Sequence, residues 1–242
     1  MSKVQLLRKQ FFFLLGCCLS LPALSQDIFR ERYREEHDQK PYYFGLSFSY
    51  ANSYLSQDKN PYFLQTDSVL VADPQTSPGF SLGMMATLHP LEHWEFRANP
   101  QLILGINHSF HYELKNPLPY EQASETKIIQ STIVSFPFSI KFLSDRIRNF
   151  RVYMLGGVQA DLDLASNAAA SNAQELVKLN KQDFGIHAGI GFNFYLPFVT
   201  VTPEIKFVNG LTNIHARDPN LKYSSVMDKM YSRMVMFSLL LE

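Results

Sequence analysis

The stretch DFGIHAGIGFNFYLPFVTVTPEIKFVNGL, residues 183–211, decides the fold. Taken two residues at a time, Phe184, Ile186, Ala188, Ile190, Phe192 and Phe194 share one face. Asp183, Gly185, His187, Gly189, Gly191 and Asn193 share the other. Side chains alternate across a strand, so this pattern predicts a strand with one apolar and one small or polar face. After Leu196-Pro197-Phe198 the alternation resumes. Val199, Val201, Pro203, Ile205 and Phe207 oppose Thr200, Thr202, Glu204 and Lys206. Two alternating runs with so short a link read as a β-hairpin. The apolar spacing of three and four that a helix needs is missing.

A water-soluble barrel hides its apolar face. Here the other face carries three glycines, a histidine, a glutamate and a lysine, which suits a polar interior, and the Phe, Ile and Val face suits lipid. That inversion predicts a transmembrane β-barrel. The same alternation recurs over residues 42–54, 79–88, 94–106, 128–142, 150–162 and 230–242. In the last run Met234, Met236 and Leu240 interrupt it by falling on the supposed inner face. The fold class expected is all-β: an eight-stranded antiparallel up-and-down outer-membrane barrel over residues 41–242.

The connections fit that count. Long polar ones, residues 55–78, 107–126, 163–182 and 212–229, follow the odd strands, and short turns follow the even ones. Outer-membrane barrels have short periplasmic turns and longer outer loops. Aromatics gather at the short-turn ends: Tyr42, Trp94, Phe142, Phe150, Phe194, Tyr195 and Phe198. They are read as the periplasmic-side aromatic girdle.

Ahead of the barrel, residues 1–25 have a basic start (Lys3, Arg8, Lys9), an apolar core over residues 11–21 and small residues at Ala23 and Ser25. This predicts a signal peptide cleaved before Gln26, hence export to the outer membrane. No run of about 20 apolar residues supplies a spanning helix. Cys17 and Cys18, the two cysteines, lie inside that segment. Leu15-Gly16-Cys17 loosely matches a lipidation box, but cleavage there leaves a very short apolar core. Residues 26–40 are polar and charged and are read as a solvated periplasmic arm. The 242-residue chain has no net charge, so nothing points to a nucleic-acid partner.

In their order and spacing, Lys40-Pro41-Tyr42-Tyr43-Phe44-Gly45, Pro78-Gly79-Phe80-Ser81-Leu82-Gly83, Val134-Ser135-Phe136-Pro137-Phe138, Arg151-Val152-Tyr153 with Gly156-Gly157, and the block from Asp183 to Ile214 resemble the PorT/SprT family of the type IX secretion and gliding machinery. The resemblance implies a non-enzymatic outer-membrane component required for type IX export, whose partners are outer-membrane lipid and other secretion-system proteins. It brings no catalytic residues and no cofactor.

Eight inward charges stand out: Glu95, Arg97, Lys141, Arg151, Asp161, Asp183, Glu204 and Lys206. An eight-stranded barrel has room for side chains and little else, so these are expected to pair and plug the interior rather than line a pore. His89 and His93 flank Pro90 in a turn, with no cysteine or carboxylate cluster to complete a metal site. Ser109, His108, His111 and Glu113, placed in a loop, have the residue types of a hydrolase but no pattern that specifies one. Asp67-Ser68-Val69 resembles a short O-glycosylation acceptor. A small porin or ligand-binding barrel, and behind it a membrane hydrolase, are the alternative functions. No small-molecule substrate is expected on the leading reading.

Overall fold

Period-two alternation sends every second side chain outward, and ladder pairing keeps that choice in phase from strand to strand. The computed structural model describes residues 32–59, 69–114, 124–165, 179–216 and 227–242. A short helix, α1 (Glu35–Gln39), precedes β1 (Tyr42–Lys59), β2 (Val69–Gln75), β3 (Ser77–Leu91), β4 (Trp94–Ala98), β5 (Gln101–Leu114), β6 (Ser124–Leu143), β7 (Phe150–Asp163), β8 (Gln182–Tyr195), β9 (Thr200–Gly210) and β10 (Met227–Leu241). β1 pairs antiparallel with β10 on one side and β3 on the other, so the sheet closes on itself.

The ten segments make eight staves. Thr76 separates β2 from β3, and Asn99 with Pro100 separates β4 from β5. Proline has no N–H for the ladder. The gap is local, because the Asn99 N–H donates to the Pro137 carbonyl and the Met84 N–H donates to the Pro100 carbonyl, both at 3.1 Å.

The polar face is the inner one. On β3, Phe80 is 68 % exposed and its neighbour Ser81 is 6 % exposed. On β8, Ile186 and Ile190 face outward while His187 is buried. Met234, Met236 and Leu240 do face inward and are buried. With Ala51, Ile103, Ile106 and Val208, the two methionines form an apolar belt inside an otherwise polar lumen. Ile103 and Ile106 both join that belt only because the strand bulges between them, where Gly105 takes φ +81°. A left-handed residue costs glycine little. Gly191 serves another purpose: a Cβ there would lie 2.2 Å from the Tyr153 ring, so its bareness lets Tyr153 lie flat against the wall.

Two of the expected loops are shorter than the sequence reading placed them. β1 runs on to Lys59 and β2 begins at Val69; β5 reaches Leu114 and β6 begins at Ser124. β6 alone has 20 residues, about twice what a tilted strand needs to cross the bilayer. Beyond the lipid the outward side chains meet water, so hydrophobic alternation stops while backbone pairing continues.

Candidate functional site

The lumen is closed near its short-turn end by one layer of paired charges. Arg97 comes from β4 and Glu204 from β9, and the Arg97 Nη1 donates to Glu204 Oε2 at 2.9 Å. The Tyr153 hydroxyl, from β7, donates to that same oxygen at 2.6 Å. Arg97 Nη2 reaches Glu242 Oε1 at 3.2 Å. Lys141 on β6 pairs with its ladder neighbour Glu95 on β4. Its ammonium also lies 4.2 Å from the centre of the Tyr153 ring. Arg97, Glu204, Lys141 and Glu95 are all buried. Buried charges persist only when paired and hydrogen-bonded, and this set meets that demand.

Below this layer, residues 32–40 cover the mouth. Arg34 Nη1 donates to Thr200 Oγ1 at 2.6 Å and to the Glu242 carbonyl at 2.7 Å. Arg146, in the turn between β6 and β7, pairs with Asp38 at 2.8 Å, donates to the Tyr33 carbonyl and lies 3.6 Å over the Tyr195 ring. Arg151 approaches Asp38 at 3.5 Å. His37 is buried against Tyr43 and Tyr195, with ring centroids 4.4 and 6.0 Å away. Burial, and then the Arg34 charge, hold its pKa at about 4, so it is neutral. The arm expected to be solvated is therefore docked over the part described, residues 32–40. It has no apolar stripe, and it docks through arginine hydrogen bonds and one buried imidazole.

The eight predicted interior charges do not form one network. Glu95, Arg97, Lys141 and Glu204 share the layer just described. Arg151 turns to the arm. Lys206 is buried one inward position from Glu204 on β9 and has no ion pair among the described residues. Asp161 and Asp183 are direct ladder partners towards the end that carries the long connections, where Lys206 acts on Asp161 through its charge. Within the charge layer and the link from Arg151 to the arm, three participants lie beyond the eight. Tyr153 lay on the inner face but carries no charge, Glu242 shares the inward parity of Leu240, and Asp38 belongs to the arm. Strand parity was the available signal for the first two; nothing in the sequence marked the third.

Around the short-turn end Tyr42, Trp94, Phe142, Phe194 and Phe198 are exposed, and Phe150 is half-buried against Phe192 and Phe194. Trp94 and Phe142 pack with ring centroids 5.0 Å apart. Tyr195 is the exception: it points into the lumen and is 2 % exposed. The cause is parity, since it follows outward Phe194 and shares the face of Asn193.

His108 and Ser109 lie in β5, not in a loop. His108 is buried in the lumen, while Ser109 donates to Gln75 of β2 at 3.0 Å, so adjacent positions on opposite faces keep them apart. His187 bonds Ser139 inside the barrel at 2.8 Å. His89 sits 3.5 Å from the Glu92 carbonyl, and His93 sits 3.9 Å from Asp145. Among the described residues no group of three or more His, Cys, Asp or Glu is arranged to hold a metal. The signal segment with Cys17 and the Asp67-Ser68 site lie outside the described residues.

A closed antiparallel barrel that is apolar outside and polar within is an integral outer-membrane β-barrel, embedded in outer-membrane lipid. The chain belongs to the family described as outer membrane protein beta-barrel domain, whose model matches residues 39–216. No curated protein sequence matches it. Among solved structures it aligns with Neisserial surface protein A at 10% identity, over 83% of this chain and 98% of that one, with a TM-score of 0.41. OprG from Pseudomonas aeruginosa aligns at 15% identity, over 89% and 96%, with a TM-score of 0.39. Ail, the attachment invasion locus protein of Yersinia pestis, aligns at 9% identity, over 84% and 98%, with a TM-score of 0.36.

Proposed function

We propose that this barrel is a non-enzymatic component required for assembly or operation of the type IX secretion system, and of gliding where that machinery is present. It acts through contacts with other proteins of the system and not through its lumen. The observation that carries the contact role is the filled interior. Arg97 and Glu204 bridge the barrel beneath an apolar belt, and residues 32–40 cover the mouth below. No path remains for a folded cargo in a barrel this narrow. The type IX pathway is favoured by the order of sequence blocks from Lys40 to Asn213, which resembles the PorT/SprT family. Because the described part of the arm is engaged with the barrel, the surfaces free for partners are the outer connections and the lipid-facing wall.

The test is a clean deletion. Type IX cargo is expected to accumulate in the periplasm with its C-terminal signal uncleaved. Replacing each outer connection by a short Gly-Ser linker, with insertion checked by protease protection, then locates the contact. Normal cargo secretion in the deletion strain would make the small porin the leading reading.

A further inference from the structure

The outer end of the lumen contains a small, partly open chamber. Ile133 and Met234 form its floor on the apolar belt, and Leu179, Asn180, Lys181 and Ile214 form its roof. The Asn180 N–H donates to the Ile214 carbonyl at 2.7 Å, tying the two roof segments together. The cavity measures about 40 Å³, room for one small ion with a water or two and for no organic molecule.

Its wall gathers polar atoms with no hydrogen-bond partner, and the buried Lys206 on β9 is the one cation that acts on Asp161 among the described residues. Asp161 on β7 and Asp183 on β8 face each other directly across the ladder. Like charges so placed repel. Asp161 Oδ2 accepts from Gln159 Nε2 at 2.6 Å, and Asp183 Oδ2 accepts from Ser232. The Oδ1 atom of each carboxylate is buried and has no partner. Two further groups on the same wall are in the same state: His108, 5 % exposed, through Nδ1, and Ser131, 3 % exposed, through Oγ. Native proteins satisfy nearly all such groups. Four unpartnered buried atoms around one cavity, two of them carboxylate oxygens, offer oxygen ligands that a cation could use.

We propose that this chamber binds one hydrated divalent cation of the calcium class between Asp161 and Asp183. Ser131 and water complete its oxygen shell, and His108 accepts a hydrogen bond from a bound water. Carboxylate, hydroxyl and water oxygens in a flexible set suit Ca²⁺ better than Mg²⁺, which demands near-ideal octahedral geometry. Asp163 also lines the chamber, but its Oδ1 already accepts from the Thr132 and Ala165 N–H groups at 3.2 and 2.9 Å, so the ion is held by the other two carboxylates, Ser131 and the water or two that fit. Asp183 follows the roof by two residues, so the bound ion also anchors the root of the connection between β7 and β8.

The test uses the full barrel folded in detergent free of lipopolysaccharide and stripped with EDTA. Equilibrium dialysis against ⁴⁵Ca²⁺ should show one site per barrel, with a dissociation constant on the order of 0.1–1 mM as in extracellular calcium modules. Added Ca²⁺ should raise the unfolding temperature. Asp161→Asn and Asp183→Asn should each weaken uptake by at least about 10–100-fold, since even outer-shell changes have effects of that size. Asp145→Asn, in an exposed turn, should leave uptake unchanged. If an aspartate variant does not fold, the milder Ser131→Ala and His108→Gln provide the reading, each lowering affinity in a folded barrel. No uptake by the wild type at millimolar Ca²⁺, or uptake unaffected by all four wall substitutions, overturns the proposal. Secretion is not read in any arm, so failure here leaves the proposed function standing.

Discussion

Arg97 and Glu204 stand four staves apart whichever way the barrel is followed, and their side chains meet at 2.9 Å across its full width. A single hydrogen-bonded ion pair thus spans the lumen, with Tyr153 bonded to the same carboxylate oxygen. Such a pair ties opposite walls together and leaves no continuous water path at its level.

Breaking that pair strands one buried charge. Arg97→Leu or Glu204→Leu should each destabilise the detergent-folded barrel by about 3–5 kcal/mol. The double substitution should recover only part of the loss, because the buried Glu242 carboxylate still loses its 3.2 Å contact with Arg97. Urea unfolding of the three variants measures this. Equal midpoints for all three and the wild type would mean the lumen is hydrated at this level.

Two adjacent glycines should behave oppositely. A Cβ on Gly157 would lie 2.0 Å from the Phe138 carbonyl oxygen and 2.9 Å from His187 Nε2. Gly157→Ala must therefore push the wall apart, at a cost of about 1–3 kcal/mol. At Gly156 the nearest atom is the His187 carbonyl oxygen at 3.9 Å, an ordinary van der Waals contact. Gly156→Ala should be neutral, or stabilising by up to about 1 kcal/mol through the unfolded chain. Refolding yield and urea midpoint separate the two.

The faces of the barrel were readable in the sequence wherever lipid imposes hydrophobicity on one side. Phe80 against Ser81 and Ile186 against His187 are read correctly because the bilayer admits only one choice. Where lipid ends, that signal ends too, which is why β5 beyond residue 106, and His108 with it, reads as a loop in the sequence. The bulge at Gly105 then switches the inward parity from odd to even positions. A strict two-residue reading does not foresee such a switch. Within the lumen the sequence indicates which charges point inward but not who pairs with whom, since Arg97 and Glu204 are brought together by closure and not by proximity along the chain. Tyr195 shows the opposite error: its parity was plain, but its aromatic character was allowed to outweigh it.

Lipid contact at Ile190 makes a direct test of orientation. Ile190 is 43 % exposed on the outer face of β8. Ile190→Lys should cost about 2–4 kcal/mol near the midplane and reduce stable insertion. Thr202→Ser, on the inner face, keeps the hydroxyl that donates to Asn193 at 3.0 Å and should insert normally. Heat-modifiable migration of membrane fractions distinguishes the outcomes.

Docking of the arm should depend on pH through His37. Its pKa is held at about 4 when docked, by burial first and by Arg34 next; Lys141 also lowers it, while Glu95 and Asp38 raise it. Undocked, it returns to the ordinary value of 6.5. Between those values the undocked form binds more protons, so docking weakens as the pH falls through 6.5 and levels off below about 4. Above the window it is unaffected. The gap corresponds to at most about 3 kcal/mol. Hydrogen exchange of residues 33–40, corrected for the intrinsic pH dependence of exchange, should show protection lost on acidification. His37→Phe should remove that dependence; if it does not, another group governs docking.

Conductance decides between a barrel that works by contact and one that conducts. Purified wild-type protein in planar bilayers should show no steady ion current. Removing residues 32–40 uncovers the mouth at the short-turn end, yet it leaves Arg97, Glu204 and Tyr153 joined above it, so that variant should stay silent as well. Replacing Arg97, Glu204 and Tyr153 together with alanine takes away the diametric bridge and the aromatic ring beneath Lys141. Lys141 and Glu95 remain paired on neighbouring staves along one wall and do not cross the lumen. Water can then reach the level of the apolar belt formed by Ile103, Ile106, Met234 and Met236. A second set of replacements, Met234→Ser and Met236→Ser, is needed to wet that belt. Only the combined variant should conduct, and its current should be small and ohmic. Steady current through the wild type would place the open path through residues assigned here to a seal, and the contact role would lose the observation on which it stands.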